Sequence, residues 1–212
     1  RMMVGNDTPL STQVSPAEPG ETLLSLNELS YISRDPFGTS LDKINMQLRA
    51  GEIVGIAGVA GNGQDELLRA LSGEVRVVDS SLQLGGVAIG RRDAAQRRRL
   101  GIAVVPEERL GRGAVPAMSL AENTLLTAYD RGLVKGGLLK GGKIREYATR
   151  IRELFGVRCS GIDSPAASLS GGNLQKFIIG REALQQPRLL VASHPTWGVD
   201  VGSAVAIHEA LV

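Results

Sequence analysis

The chain has 212 residues, of which 42% are hydrophobic, 22% charged and 3% aromatic. This length is sufficient for one domain with a subdomain, and the composition excludes a largely disordered chain. The 24 basic and 22 acidic residues give a net charge of only +2, and no stripe of arginine and aromatic residues is present. Nucleic acid is therefore not an expected partner.

Cysteine content and hydropathy bear on the cellular setting. Cys159 is the only cysteine, which excludes an internal disulfide, favours a reducing cytosolic setting and predicts a buried apolar position for this side chain. No apolar run approaches the roughly 20 residues that span a bilayer, so membrane association is expected only through partners. Because the chain opens on Arg1 and stops at Val212 inside a predicted helix, we expect a fragment of a longer protein.

Residues 1–20 have the proline, glycine and polar composition of a linker between domains, and residues 21–212 are expected to form one domain. Apolar alternation predicts strands at Thr22–Leu29 and Ile44–Leu48, which together open an antiparallel layer. Ile53–Ala57 is apolar on both faces, which favours a buried strand. A glycine-rich turn follows it, then an amphipathic helix from about Asp65 to Leu71 that Gly73 ends.

The second part of the chain alternates short apolar runs with helical patterns, which predicts the α/β class. The helical subdomain is expected at about 115–185. The predicted strands are a hairpin at Leu82–Ile89 broken by Gly85 and Gly86, a buried strand at Ile102–Val105 and a strand at Leu189–Ala192. One predicted helix runs from a Ser119–Glu122 capping box through Leu126, and a second has an apolar stripe from Ile144 to Phe155 and is ended by Gly156. A third is predicted at Gly171–Gln185, before Pro187.

The loop GVAGNGQD has the glycine spacing of a P-loop, in which backbone amides converge on phosphate at the start of a helix. Two chemical groups of that motif are absent. Gln64 stands where the motif has the lysine for the β and γ phosphates, and Asp65 stands where it has the Ser or Thr for magnesium. The alternative is a plain glycine-rich turn. The predicted nucleotide-contacting residues of this loop are Gly58, Gly61, Asn62, Gly63, Gln64 and Asp65.

SLSGGNLQK, at residues 168–176, resembles the signature of ABC ATPases. Ser170 is a candidate N-cap, and Gly171 and Gly172 carry no Cβ, so their amides and the positive end of the helix can approach a phosphate closely. The alternative is an ordinary capped helix.

RLLVASHPTWGVDVG, at residues 188–202, is similar to the Walker B and D-loop region of the same family. Ser193 and His194 replace the acids that would hold magnesium and polarise the attacking water. His194 could serve as a base near neutral pH, although a structural role is favoured. Asp200 would be the D-loop aspartate, which contacts the partner domain.

VPEER, at residues 105–109, occupies the Q-loop position of the family, with Glu107 in place of glutamine. Tyr31 could stack on adenine, with Phe37 as the competing aromatic, and ordinary core packing explains either side chain equally well. The basic stretch KGGLLKGG, at residues 135–142, is expected to be a solvated loop, and we assign it no role.

These motifs resemble the second ABC domain of the tandem ATP-binding subunits of bacterial simple-sugar and nucleoside importers, and RMMVG at residues 1–5 resembles the tail of a first domain. The resemblance implies a P-loop NTPase fold with a mixed core sheet, an antiparallel layer and a helical subdomain. It also implies that ATP and Mg²⁺ are held mainly by the partner domain, with no metal site of this domain's own. The signature would then act in trans.

The partners implied are the first ABC domain of the same polypeptide, transmembrane permease subunits and, indirectly, an extracytoplasmic substrate-binding protein. The implied location is peripheral, on the cytoplasmic face of the inner membrane. Three alternatives stay open: a self-sufficient homodimerising ATPase, a soluble ABC protein of translation or repair, and an interaction module that no longer contacts nucleotide.

Overall fold

The computed structural model describes residues 18–211, so nearly all of the predicted linker lies outside the described residues. The described chain forms two compact units, residues 18–103 (the N-terminal unit) and residues 104–211 (the C-terminal unit). Its strands are β1 Thr22–Tyr31, β2 Leu41–Arg49, β3 Leu82–Leu84, β4 Val87–Ala88, β5 Ile102–Val105, β6 Val134–Lys135, β7 Leu138–Leu139 and β8 Leu189–Ala192. Its helices are α1 Gln64–Ser72, α2 Ala94–Arg99, α3 Leu120–Ala128, α4 Gly141–Leu154, α5 Gly171–Ala183 and α6 Val201–Leu211.

The N-terminal unit contains an antiparallel sheet with the strand order β2-β1-β3-β4. Leu24 and Leu26 of β1 are buried at alternate positions, as expected for a strand with one face on the core. Both the predicted antiparallel layer and the hairpin are confirmed, with Gly85 and Gly86 in the left-handed region at the hairpin turn. These glycines supply the positive φ that such a turn requires.

Helix α1 is confirmed and ends at Gly73, whose φ of 87° is left-handed. A buried arginine holds this end of the helix. The guanidinium of Arg97 donates to the carbonyls of Ala70, Leu71 and Gly90, and burial lowers its pKa to about 10. Backbone carbonyls that a helix end leaves unpaired thus receive donors from a side chain.

The predicted strand at Ile53–Ala57 is wrong. The structure places this segment outside any strand, and the side chains of Ile53 and Ile56 are 68% and 54% exposed. An apolar run becomes a strand only when a neighbouring strand accepts its backbone hydrogen bonds. None of the strands described between residues 18 and 211 pairs with it.

The C-terminal unit packs α3, α4, α5 and α6 around an apolar core. Strand β5 pairs with β8, and the Ser193 amide continues the pairing by donating to the Val105 carbonyl at 2.9 Å. The core consists of buried side chains from these elements and their loops: Val105, Ala114, Leu120, Ile151, Val157, Ala166, Leu174, Phe177, Ile178, Ile179 and Ile207. Cys159, predicted to be buried, lies only partly buried against it.

The capping box at the start of α3 is confirmed. The Ser119 hydroxyl accepts from the Glu122 amide at 3.1 Å, and the Glu122 carboxylate accepts from the Ser119 amide at 2.8 Å. The hydrogen bond from the Ser119 amide, followed by that from its hydroxyl, lowers the pKa of Glu122. Local sequence thus fixes where this helix begins.

The predicted solvated loop at residues 135–142 is partly wrong, because its first half is paired. Strands β6 and β7 form a short antiparallel hairpin across Gly136 and Gly137, and α4 begins at Gly141. Its exposure is as predicted, with Leu138 and Leu139 75% and 62% exposed. The two glycines adopt positive φ, which allows a tight reversal within so few residues.

Helix α4 is confirmed, with Gly156 in the left-handed region two residues after its end, and α5 ends two residues before the predicted Gln185.

None of the helices within residues 18–211 is both long enough and apolar enough to cross a lipid bilayer.

Candidate functional site

The glycine-rich loop of the N-terminal unit leads directly into α1, as the P-loop pattern predicts. Gly61 and Gly63 have φ values of 87° and 95°, which side chains with a Cβ rarely adopt. The side chain of Gln64 folds back over this loop. Its Nε2 donates to the Val59 carbonyl at 3.1 Å, and a Cβ added at Gly58 would lie 2.4 Å from the same nitrogen.

A neighbouring segment closes on the same loop. The Thr39 hydroxyl donates to the Gly61 carbonyl at 2.5 Å, and the Thr39 amide donates to the Glu66 carboxylate at 2.9 Å. The first turn of α1 carries two carboxylates, Asp65 and Glu66, at the positive end of the helix. Carboxylates satisfy a helix N-terminus themselves, and they repel a second anion there.

The two candidate aromatic residues lie in different environments. Tyr31 ends β1, pairs with Leu41 of β2 and is half-buried. Phe37 is 97% exposed, so core packing does not explain that side chain. Of the two, only Tyr31 is anchored in the sheet.

The signature residues lie at the start of α5 in the C-terminal unit. Ser170 has the extended backbone of an N-cap, φ −63° and ψ 154°, as predicted, but its side chain caps no helix amide. Instead its hydroxyl accepts from Asn173 Nδ2 at 2.9 Å, and Asn173 Oδ1 accepts from the Arg158 amide at 2.9 Å. Ser170 and Gly171 are both exposed. The positive end of a 13-residue helix is therefore open to solvent.

A buried ion pair, which the sequence analysis missed, holds α5 in place. Arg181 Nε lies 2.9 Å from Glu182 Oε1, and the two side chains are 3% and 0% exposed. Arg181 also donates to the carbonyls of Asn123 at 3.1 Å and Gly113 at 2.8 Å. The pair connects the signature helix to α3 and to the loop before it. The sequence signal that could have indicated this pair is the presence of two adjacent charged residues, Arg181 and Glu182, in an otherwise apolar stretch of helix.

The Q-loop and Walker B positions lie together at the ends of β5 and β8. His194 Nδ1 is 3.8 Å from Glu107 Oε1, and the two side chains are 50% and 57% exposed. His194 has a φ of 46° and makes an edge contact with Trp197, whose ring centroid is 6.1 Å away. Ser193 is bound through its amide to Val105. These residues present one carboxylate beside an imidazole at the edge of the paired strands.

Asp200 stands one residue before α6 and caps that helix. Its carboxylate accepts from the Ser203 amide at 2.9 Å and from the Ser203 hydroxyl at 2.7 Å. The hydroxyl bond first, and then the amide bond, lowers the pKa of Asp200. A Cβ added at Gly172 would lie 3.2 Å from both Asp200 Oδ2 and Ser203 Oγ, so this cap packs directly beneath the signature.

Between residues 18 and 211, no three His, Cys, Asp or Glu side chains are grouped so that they could hold a metal ion.

Comparison with known proteins identifies the family. The sequence model of the ABC transporter family matches residues 41–197. The nucleoside import ATP-binding protein NupA of Lactococcus lactis is 38% identical over 212 residues, covering 100% of this chain and 42% of that protein. The ribose import ATP-binding protein RbsA 1 of Rubrobacter xylanophilus is 37% identical over 218 residues, covering 99% and 41%. The chain thus spans about two fifths of the length of these relatives.

The fold also resembles that of solved ATP-binding cassettes. An ATP-binding cassette, solved as a dimer in a post-hydrolysis state with ADP and phosphate, superposes with a TM-score of 0.70 at 18% identity, covering 89% of this chain and 81% of that one. The P-loop NTPase fold of ABC ATPases, with its antiparallel sheet and helical subdomain, is thereby confirmed. The family match and the fold together show that this chain belongs to the ABC transporter family.

Proposed function

We propose that this chain is the second ABC domain of a tandem ATP-binding subunit, and that it lends its signature to ATP held by the first domain. The observation that carries the proposal is the contrast between two helix starts. The start of α5 is exposed and has Ser170, Gly171 and Gly172 in place. The loop before α1 is also exposed, but Gln64 stands at the lysine position of its motif and folds back to bind the Val59 carbonyl.

The loop of the N-terminal unit is a poor fit for ATP and Mg²⁺. The motif's lysine is replaced by Gln64, whose amide group lies across the loop and binds the Val59 carbonyl. Asp65 and Glu66 place negative charge in the first turn of α1, where phosphate would otherwise bind. Charges about 4 Å apart interact by ~1 kcal/mol in water and by ~4 kcal/mol near a protein surface. Each carboxylate therefore opposes phosphate binding there.

The residues at the positions that would supply acids for hydrolysis also argue against hydrolysis at this loop. Ser193 and His194 carry no carboxylate, and the nearby Glu107 lies beside His194 on an exposed edge. We therefore propose no hydrolytic step at this domain's own loop.

The start of α5 is suited to binding phosphate. Its first amides have no partners within the helix, Gly171 has no Cβ to obstruct approach, and the helix dipole favours an anion. In the proposed arrangement these groups would face a phosphate bound by the other domain.

The names of the relatives suggest the transported class. One is a nucleoside import protein and another a ribose import protein. We propose import of simple sugars or nucleosides, with transmembrane permease subunits and an extracytoplasmic substrate-binding protein as partners. The domain would then lie peripherally on the cytoplasmic face of the inner membrane.

The test compares this chain alone with the same chain joined to its first domain. Alone, it should bind fluorescent ATP weakly and show negligible magnesium-dependent turnover. In the two-domain protein, ATP should bind tightly and be hydrolysed. Robust turnover by the isolated chain would establish the self-sufficient homodimer instead, and absence of ATP binding by the two-domain protein would establish an interaction module.

A further inference from the structure

Arg109, the last residue of the VPEER segment, connects three parts of the C-terminal unit. Its Nε donates to Gln175 Oε1 at 3.0 Å, and Gln175 is a buried residue of α5 only 1% exposed. Its Nη2 donates to the carbonyl of Trp197, in the loop that follows β8. One guanidinium therefore joins the Q-loop position, the signature helix and the segment that carries Asp200.

The same guanidinium lies directly against the signature. A Cβ added at Gly171 would be 2.8 Å from Arg109 Nη1, which is closer than real side chains approach. At Gly198 the corresponding distance to Nη2 is 3.6 Å, an ordinary contact. A Cβ at this position would therefore displace the Arg109 guanidinium from its present place, besides obstructing the approach of a phosphate.

The acceptors of Arg109 are neutral oxygens, a side-chain amide and a backbone carbonyl. Within residues 18–211, the structure shows no ion pair of this guanidinium with a carboxylate. Its positive charge therefore adds to the positive end of the α5 dipole beside Gly171.

We propose that Arg109 is a positioning residue for the signature: its planar fork fixes the start of α5 against the loop after β8 at a geometry that can receive a phosphate. Lysine would keep the charge but not the two-directional fork. This inference rests on the proposed function, in which that helix start acts on ATP held by the first domain.

The first test measures turnover by the two-domain protein. Arg109→Met and Arg109→Lys should each lower kcat by roughly tenfold or more, the loss expected when hydrogen bonds from a charged group are removed, with a smaller change in KM for ATP. Arg150→Met, an exposed arginine on α4, is the matched control and should leave kcat within twofold. The inference is overturned if both Arg109 variants match that control while Ser170→Arg abolishes turnover.

The second test uses the contact with Gly171. Gly171→Ala should lower kcat by a larger factor in the parent protein than in an Arg109→Met background, because the clash with the guanidinium is then gone and only the obstruction of phosphate remains. Gly172→Ala, whose Cβ would approach Asp200 and Ser203 instead, should have the same effect in both backgrounds. Full additivity for Gly171→Ala would contradict the proposal.

A third measurement is independent of ATP turnover. Trp197 is the only tryptophan of the 212-residue chain, so its fluorescence anisotropy reports on the loop that Arg109 holds. Arg109→Met should lower this anisotropy, and Arg150→Met should not. If Ser170→Arg proves to have normal turnover, the proposed function fails, and the anisotropy alone decides the role of Arg109: an unchanged value overturns it.

Discussion

Replacement of Arg181 by methionine should destabilise the C-terminal unit severely. The change removes the ion-pair contact of Arg181 with Glu182 and two donors to the carbonyls of Asn123 and Gly113. Breaking a buried ion pair from one side typically costs about 3–5 kcal/mol, because the remaining charge stays buried without its partner. For a chain of this size each kcal/mol lowers Tm by roughly 2–4 °C, so we expect a fall of roughly 6–20 °C.

The assay is thermal and urea unfolding of matched variants. Arg145→Met breaks an ion pair with Asp163 whose side chains are 58% and 57% exposed, and should cost about 0–1 kcal/mol. The double variant Arg181→Met with Glu182→Leu should be more stable than Arg181→Met alone, since no buried charge remains. If Arg181→Met lowers Tm no more than Arg145→Met does, the buried ion pair does not stabilise the C-terminal unit.

Three further predictions follow from local contacts. Because the folded pKa of Asp200 is lowered, its stabilising effect should be present above about pH 4 and lost as pH falls through the lowered pKa. Asp200→Asn should remove this pH dependence from the urea midpoint of unfolding. An unchanged pH dependence of that midpoint in the variant would be inconsistent with the cap. Gln64→Lys with Asp65→Ser changes the local charge by two units and should tighten fluorescent-ATP binding by about tenfold or more, whereas Gln47→Lys on the exposed side of β2 should not. Equal affinities would mean that the charge at Gln64 and Asp65 does not limit nucleotide binding at this loop. Ser119→Ala should cost about 1 kcal/mol in unfolding experiments, and no loss would mean that the capping box does not stabilise α3.

Elements encoded by neighbouring residues were predictable from the sequence. The Ser119 capping box and the Gly73 helix end depend on contacts within a few positions, so their signals are complete in the local sequence. The signature helix was likewise placed correctly, because the Ser-Gly-Gly pattern itself determines where α5 begins.

Features that depend on distant partners were not predictable in the same way. Ile53–Ala57 has the composition of a strand, but its state depends on whether another strand pairs with it. The bond between Arg109 and Gln175 spans 66 positions, and that between Arg109 and Trp197 spans 88. Neither contact leaves a periodic signal in the sequence. The candidate site was thus recognised from its motifs, whereas the contacts that hold it were found only in the structure.

The most direct test of the central claim is the ATPase rate of the two-domain protein carrying Ser170→Arg, measured beside Ser160→Arg. Ser160 is also exposed but lies in the loop after α4, so the same substitution there controls for added charge and bulk. If the start of α5 acts on ATP held by the first domain, Ser170→Arg should abolish turnover while Ser160→Arg retains it. Near-normal turnover of Ser170→Arg would contradict the proposed function.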